Sequence, residues 1–303
     1  MIKPLQWLPL FIFLLLVTNM AFCQTGAMPG EDGKTKTAED ASDQHNIFKF
    51  GANYMSDIVF MGRSDTTKTP ALLPEVKYTF SNGIFVSGTF DYIPSKKKNK
   101  IDGGDVSAGY NFDITDNLSG SASYTKLFYS KTSTQIASSI SNTFSTDISY
   151  DIGTIITPAI GADYDLNRNG INNDIFINAE LSHDFIFKGI FGDEDIVLIS
   201  PTVTANAGTE NFYDAYLVNV KKLTVAKTKR AAALIAQYTN KLSQFELLDY
   251  EVSAPIDYKA GHFLFQFTPT YAVVKNQLPQ ALATRLANAP SVFYFDAGVF
   301  LKF

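Results

Sequence analysis

The 303-residue chain has one cysteine, at position 23, one tryptophan and three histidines. A lone thiol excludes an internal disulfide framework. His45, His183 and His262 are far apart and have no second thiol beside them, so no metal-ligand spacing is present. Long apolar runs are also missing. Residues 8–17 form one of about ten residues, short of the roughly 20 that a spanning helix requires. No later stretch approaches that length, which excludes a helical membrane protein. Phosphate-cradling, dinucleotide-binding and Ca²⁺-loop patterns are lacking. The net charge of −5 argues against nucleic acid as a partner. No cofactor is implied.

What is present begins with a leader. Lys3, the apolar run and Ala21-Phe22-Cys23 fit a secretory signal peptide over residues 1–23. Lipidation of Cys23 is the competing reading. It would want a small residue before the cysteine, where Phe22 stands. Cleavage after Cys23 leaves Gln24 first and 280 residues (303 minus 23), without a thiol. Residues 24–45 are polar, contain almost nothing to bury, and read as a disordered periplasmic spacer.

From residue 46 onward the chain alternates. The last stretch, 291–303, places Phe293, Phe295, Ala297, Val299, Leu301 and Phe303 on one face. Val292, Tyr294, Asp296, Gly298, Phe300 and Lys302 take the other, because strand side chains alternate with period 2. Similar strands are expected near 46–62, 71–81, 84–94, 104–114, 118–129, 142–151, 155–166, 174–187, 196–208, 245–258 and 262–274. Each approaches the 9–11 residues that cross a bilayer at a tilt. Ser81-Asn82-Gly83 is a strong hairpin turn. The short links at 81–83, 115–117, 151–154, 188–195 and 259–261 alternate with longer polar links at 63–70, 95–103, 130–141, 167–173, 209–244 and 275–290. A soluble sandwich has no reason to keep such an alternation. With 25 Phe and 15 Tyr but no later apolar block, the composition fits strands with one lipid-facing side and interfacial aromatic girdles.

The terminal aromatic strand, the alternation and the short/long link pattern resemble bacterial outer-membrane β-barrels over residues 46–303. The resemblance implies an all-β, transmembrane, antiparallel up-and-down barrel of about 12 strands in the outer membrane of a Gram-negative bacterium. It also implies lipopolysaccharide and membrane lipid as surroundings, and barrel-assembly machinery reading Phe303 as a signal. The Phe/Tyr-rich strands and the start at Gln24 look similar to uncharacterised barrels of Bacteroidota-type bacteria, with no substrate-defined family among them.

If the apolar phase faces lipid, the opposite phase faces a lumen. Candidate lining residues are Asp91, Asp105, Asn111, Asp113, Asp147, Asp163, Glu180, Asp184, Asp249, Glu251 and Asp296. Asp57, Glu75, Asp151, Asp165 and Asp257 raise the acids to fifteen, against four bases, Lys49, Lys77, Lys188 and Lys302. That balance points to an electronegative interior favouring cations or polar neutral solutes. The insertion at 209–244 is the second candidate. Its segment 226–242 is rich in strong helix formers, and Lys227, Lys229, Arg230, Tyr238 and Lys241 mark it as a constriction loop for an acidic pore. The bland alternative is an external helix across the barrel mouth or against lipopolysaccharide. Pro158, Pro201, Pro255 and Pro269 lack the amide donor of a central strand and mark bulges, or openings toward lipid.

The functional expectation is a passive channel for small polar or cationic solutes. Its rivals are a non-conducting structural or surface-interaction barrel, a transporter of hydrophobic compounds and a lipid-hydrolysing barrel. The last would need a His and a Ser near the outer rim. His262 instead follows a short turn, and His183 shares a phase with Leu181 and Phe185, so the chain reads as a non-enzyme.

Overall fold

The computed structural model describes residues 45–64, 68–96, 100–131, 133, 135–168, 172–212, 241–277 and 289–303. The leader and all but the last residue of the spacer lie outside them. So do most of the 209–244 insertion and residues 278–288.

In chain order the strands are β1 (Ile47–Met55), β2 (Val59–Phe60), β3 (Arg63–Ser64), β4 (Ala71–Thr79), β5 (Ile84–Tyr92), β6 (Ile101–Thr115), β7 (Leu118–Tyr129), β8 (Ile140–Tyr150) and β9 (Thr157–Asn167). They continue as β10 (Asp174–Ser182), β11 (Phe185–Lys188), β12 (Ile196–Ile199), β13 (Thr202–Gly208), β14 (Glu246–Ser253), β15 (Ile256–Ala260), β16 (Phe263–Val274) and β17 (Ser291–Lys302). Fifteen of them form one antiparallel sheet, and β2 with β3 forms a separate hairpin. Three wall strands are each broken in two, as β10/β11, β12/β13 and β14/β15, so fifteen segments make twelve wall strands.

The ring closes where the last strand meets the first. β17 pairs with β16 and also with β1, in register from Lys49↔Lys302 to Met55↔Asp296. Phe48 and Phe303 exchange backbone hydrogen bonds, each of 2.9 Å, and the Phe303 ring stacks on Phe50 at 6.3 Å and 8°. The terminal phenylalanine is thus part of the seam. Closure removes the free edges that an open sheet would present.

Side-chain alternation then sorts the residues by solvent. Phe48, Phe50, Val76, Val106, Tyr110, Phe128, Phe144, Ile160, Ile177 and Val299 occupy the exposed phase around the ring. Inward positions carry Lys49, Asn53, Ser107, Ser121, Thr125, Thr143, Thr204 and Glu251, all buried. An apolar exterior around a polar interior inverts a water-soluble protein. It suits hydrocarbon, where every backbone group must be bonded within the protein. The chain is a transmembrane β-barrel of the outer-membrane type. The short links and both ends of the barrel share one rim, which is periplasmic by the rule for such barrels, and the long loops share the outer rim.

Of the four prolines named from the sequence, two lie at breaks, and a further one, Pro74, sits inside β4 opposite Ala52. β12 and β13 part at Pro201, and β14 and β15 part at Pro255. The carbonyls of Pro201, Pro255 and Pro269 accept from the amides of His183 (3.2 Å), Ser200 (2.9 Å) and Ala254 (3.2 Å). The breaks therefore form a staircase across neighbouring strands, still stitched together. Pro158 and Pro269 stay inside β9 and β16, paired with Leu181 and Phe295.

The strand expected over 46–62 ends early, at Met55. Ser56 still donates to the Phe295 carbonyl at 2.9 Å, and the chain then leaves the wall. Asp57 accepts from the Thr69 amide at 2.8 Å, and Ile58 donates to the Thr69 carbonyl at 3.2 Å, making a narrow neck. Val59 and Phe60 are apolar neighbours, which a wall strand would send to opposite faces, one of them polar. They are buried off the wall instead.

Candidate functional site

The inward surface is uneven. On β6 to β9 it consists largely of small groups, including Ser107, Gly109, Ser121, Ser123, Thr125, Ser145 and Gly161. Ser107 and Thr125 share a hydrogen bond of 2.7 Å, and Ser119 and Ser149 one of 3.0 Å. Large inward rings occur where a neighbouring glycine makes room. A Cβ on Gly109 would lie 2.5 Å from the Phe85 ring, and one on Gly298 2.5 Å from the Phe300 ring. Two lysines use those rings near the periplasmic rim. Lys77 Nζ lies 4.2 Å over Phe85 and Lys49 Nζ 4.5 Å over Phe300. Lys302, Lys49 and Lys77 are successive cross-strand partners, and Lys49 pairs with Glu75 at 3.2 Å.

The candidate lumen acids do not form a single ring. Asp91 accepts from Gln135 at 3.0 Å and stands diagonal to Asp105 across β5 and β6. Asp147 accepts from Ser121 at 2.5 Å and is diagonal to Asp163 across β8 and β9. Glu180 accepts from Thr204 at 3.3 Å, and Asp184 from Ser200 at 2.5 Å. Asp249, fully buried, accepts from Asn206 at 2.7 Å, and the equally buried Glu251 lies two residues farther along β14. Asp296 belongs to β17, opposite Met55 and Thr268. Asn111 is half-buried, and Asp113, close to the periplasmic rim, is exposed. Lys227, Lys229, Arg230 and Tyr238 lie outside the described residues, and Lys241 is exposed at the outer rim.

The outer mouth holds what the sequence did not announce. The β2–β3 hairpin turns through Met61 (φ 49°) and Gly62 (φ 69°), as a two-residue hairpin turn with left-handed central residues requires. A Cβ on Gly62 would meet Asp249 Oδ2 at 2.9 Å and Val274 at 3.1 Å, so the tip abuts the wall at β14 and β16. Val59 packs with Ala272 of β16 and Tyr294 of β17. Phe60 stands edge-on to Phe176 of β10 (5.7 Å, 89°) and to Phe212 (4.7 Å, 87°). Around these rings lie Leu127, Ile136, Ile140, Leu242 and Leu248.

Buried polar links accompany this apolar cluster. Arg63, on β3, donates to Glu210 and to the Asn276 backbone carbonyl, and the Asn276 side-chain Nδ2 donates to Glu210 at 2.6 Å. Burial pushes the Glu210 carboxyl up from its ordinary range, against the pull of the Arg63 guanidinium. Burial likewise raises Asp57, partly offset by the Thr69 amide. Asp174 anchors the start of the insertion, accepting from the amides of Asn211 (2.6 Å) and Phe212 (2.7 Å) and from Thr209 at 2.7 Å. The available sequence signal was Val59-Phe60-Met61-Gly62, an apolar run beside a turn residue.

Neither of the remaining histidines faces the bore. His183 stands edge-on to Phe185 at 4.4 Å in the lipid-facing phase, and His262 stacks on Phe303 at 4.7 Å on the periplasmic rim.

No protein-family model and no curated protein matches the sequence. Among solved structures the chain is similar to the KdgM porin, at 9% identity and a TM-score of 0.47, covering 84% of this chain and 99% of that one. The NanC porin matches at 10% identity and 0.41, covering 84% and 100%. LpxR from Salmonella typhimurium matches at 10% identity and 0.43, covering 84% and 99%.

Proposed function

We propose that the barrel is a passive channel for small polar or cationic solutes, with an acidic lumen narrowed by loops at the outer mouth. The observation that carries this reading is the run of serine, threonine and glycine along the inward faces of β6 to β9. Side chains of that size cannot fill the interior of a twelve-stranded barrel, whose width grows with strand number. A purely structural barrel would gain by filling its bore with larger groups. The inward acids on β5, β6, β8, β9 and β14 outnumber the inward lysines, which favours cations. Lys227, Lys229, Arg230, Tyr238 and Lys241 remain the proposed basic face of the 209–244 loop, complementary to that lumen. Phe303 is proposed as the residue the assembly machinery reads, and lipopolysaccharide as the outer neighbour of the loops.

Recording in planar bilayers across a salt gradient tests the proposal. Cation-side reversal potentials are expected, moving toward zero in the Asp113→Asn/Asp147→Asn variant, which removes two inward acids that are not fully buried. Anion-side reversal would contradict the acidic lumen. If neither the full chain nor any loop-shortened variant gave conductance steps, the channel reading would fall.

A further inference from the structure

The first external loop emerges between β1 and β4, yet its aromatic anchor is found on the far wall. β10 stands six strands from β4 one way around the ring and five from β1 the other. Phe60 of the loop nevertheless meets Phe176 of β10. The hairpin therefore crosses the bore. Its other contacts are on the near side: Val59 sits on Ala272 of β16 and on Tyr294 of β17, the strand paired with β1. The tip at Gly62 abuts Val274 of β16 and Asp249 of β14, while Phe60 shares its apolar cluster with Leu127 of β7 and Ile140 of β8 across the ring. From side to side, the outer mouth is spanned by residues 59–63.

The hairpin is tied as well as seated. Arg63 is 3% exposed and Glu210 2%. Their ion pair, shared with Asn276, links the first loop to the beginning of the 209–244 insertion and to the start of the 275–290 loop. Residues 63, 210 and 276 thus join three external loops at one buried point. Removing one partner of a buried pair leaves the other charged and unsolvated, so such a tie holds firmly until both partners are exposed together. The neck at Asp57, Ile58 and Thr69 supplies a fixed base from which the hairpin can swing.

We infer that the β2–β3 hairpin is a latched plug, closing the outer mouth by lying across it and held shut by the Arg63–Glu210–Asn276 clasp. This rests on the channel reading above and names the regulation of that bore. The occluding element is the first loop, and the 209–244 insertion contributes the catch through Glu210 and part of the apolar seat through Phe212 and Leu242.

Three proteins compared in planar bilayers test it: the full chain, a variant with residues 59–68 replaced by Gly-Ser-Gly, and Arg63→Gln. The neck residues already hydrogen-bond each other, so a three-residue link closes the shortened loop without moving β1 or β4. Heat-dependent mobility in SDS gels reports whether each barrel has formed. The full chain should be mostly closed, the shortened loop persistently open, and Arg63→Gln open for about a hundredfold more of the time. Equal conductance and open time in all three would overturn the plug and leave the channel standing. A folded, shortened variant that never conducts would sink both. If the shortened variant failed to fold, Arg63→Gln would decide, because Arg63 lies outside the wall; unchanged open time there would refute the latch.

Discussion

Phe60→Ala separates a seated hairpin from a structural wall residue by magnitude. The ring is 3% exposed and meets two others, Phe212 at 4.7 Å and Phe176 at 5.7 Å. Truncating a buried phenylalanine costs about 3–5 kcal/mol in packed interiors. Phe60 belongs to no wall strand, so the cost falls on the seated position of the hairpin rather than on barrel closure. At about 1.4 kcal/mol per factor of ten, even 3 kcal/mol shifts the seated-to-released ratio by roughly 150-fold. The assay is the fraction of time open in planar bilayers, with heat-dependent gel mobility and denaturant unfolding in detergent as controls on the wall. Open time should rise by about two orders of magnitude while the unfolding midpoint hardly moves. Phe60→Ala/Phe212→Ala should open less than the product of the single effects, because the two rings share one contact and their losses do not add. Wild-type open times combined with a lowered unfolding midpoint would refute the argument, since Phe60 would then be supporting the wall.

Two further outcomes test the solvent assignment and the interior packing. Val106→Arg, on the exposed apolar phase of β6, should destabilise the barrel by about 2–4 kcal/mol near the bilayer midplane. Its neighbour Ser107→Arg, on the inward phase, should reduce conductance far more than stability; equal unfolding losses in lipid vesicles would contradict the two-solvent reading. Gly109→Ala would bring a Cβ to 2.5 Å from Phe85 and 2.7 Å from the Ala122 carbonyl. A loss of about 1–3 kcal/mol is expected from overpacking, and an unchanged denaturation midpoint would show that the ring moves freely.

The barrel was legible because its code is local. Alternation at Phe293, Phe295, Ala297, Val299 and Leu301 needs no knowledge of the rest of the chain, since a pleated strand in contact with two solvents dictates period 2. The turn at Ser81-Asn82-Gly83 is equally local, with Gly83 at φ 88°. Closure followed once each strand had an apolar side, because hydrocarbon tolerates no free edge. The breaks beside Pro201 and Pro255 were foreshadowed by the missing amide. The neighbouring break at His183–Asp184 carries no proline and is absent from any one-strand pattern; it lies beside the Pro201 break, where the His183 amide donates to the Pro201 carbonyl.

The mouth was decided otherwise. Arg63 and Glu210 are 147 residues apart and Arg63 and Asn276 are 213 apart, and nothing near any of them in sequence names a partner. Val59-Phe60-Met61 looked like the end of a strand because apolar residues beside a strand usually extend it. Their burial inside the ring depends on a dry recess that β7, β8, β10 and β14 create only after twelve strands have closed. Periodicity written along the chain chooses which side of each strand meets lipid. The contents of the space enclosed depend on which distant loops fit one another, and that information first exists in three dimensions.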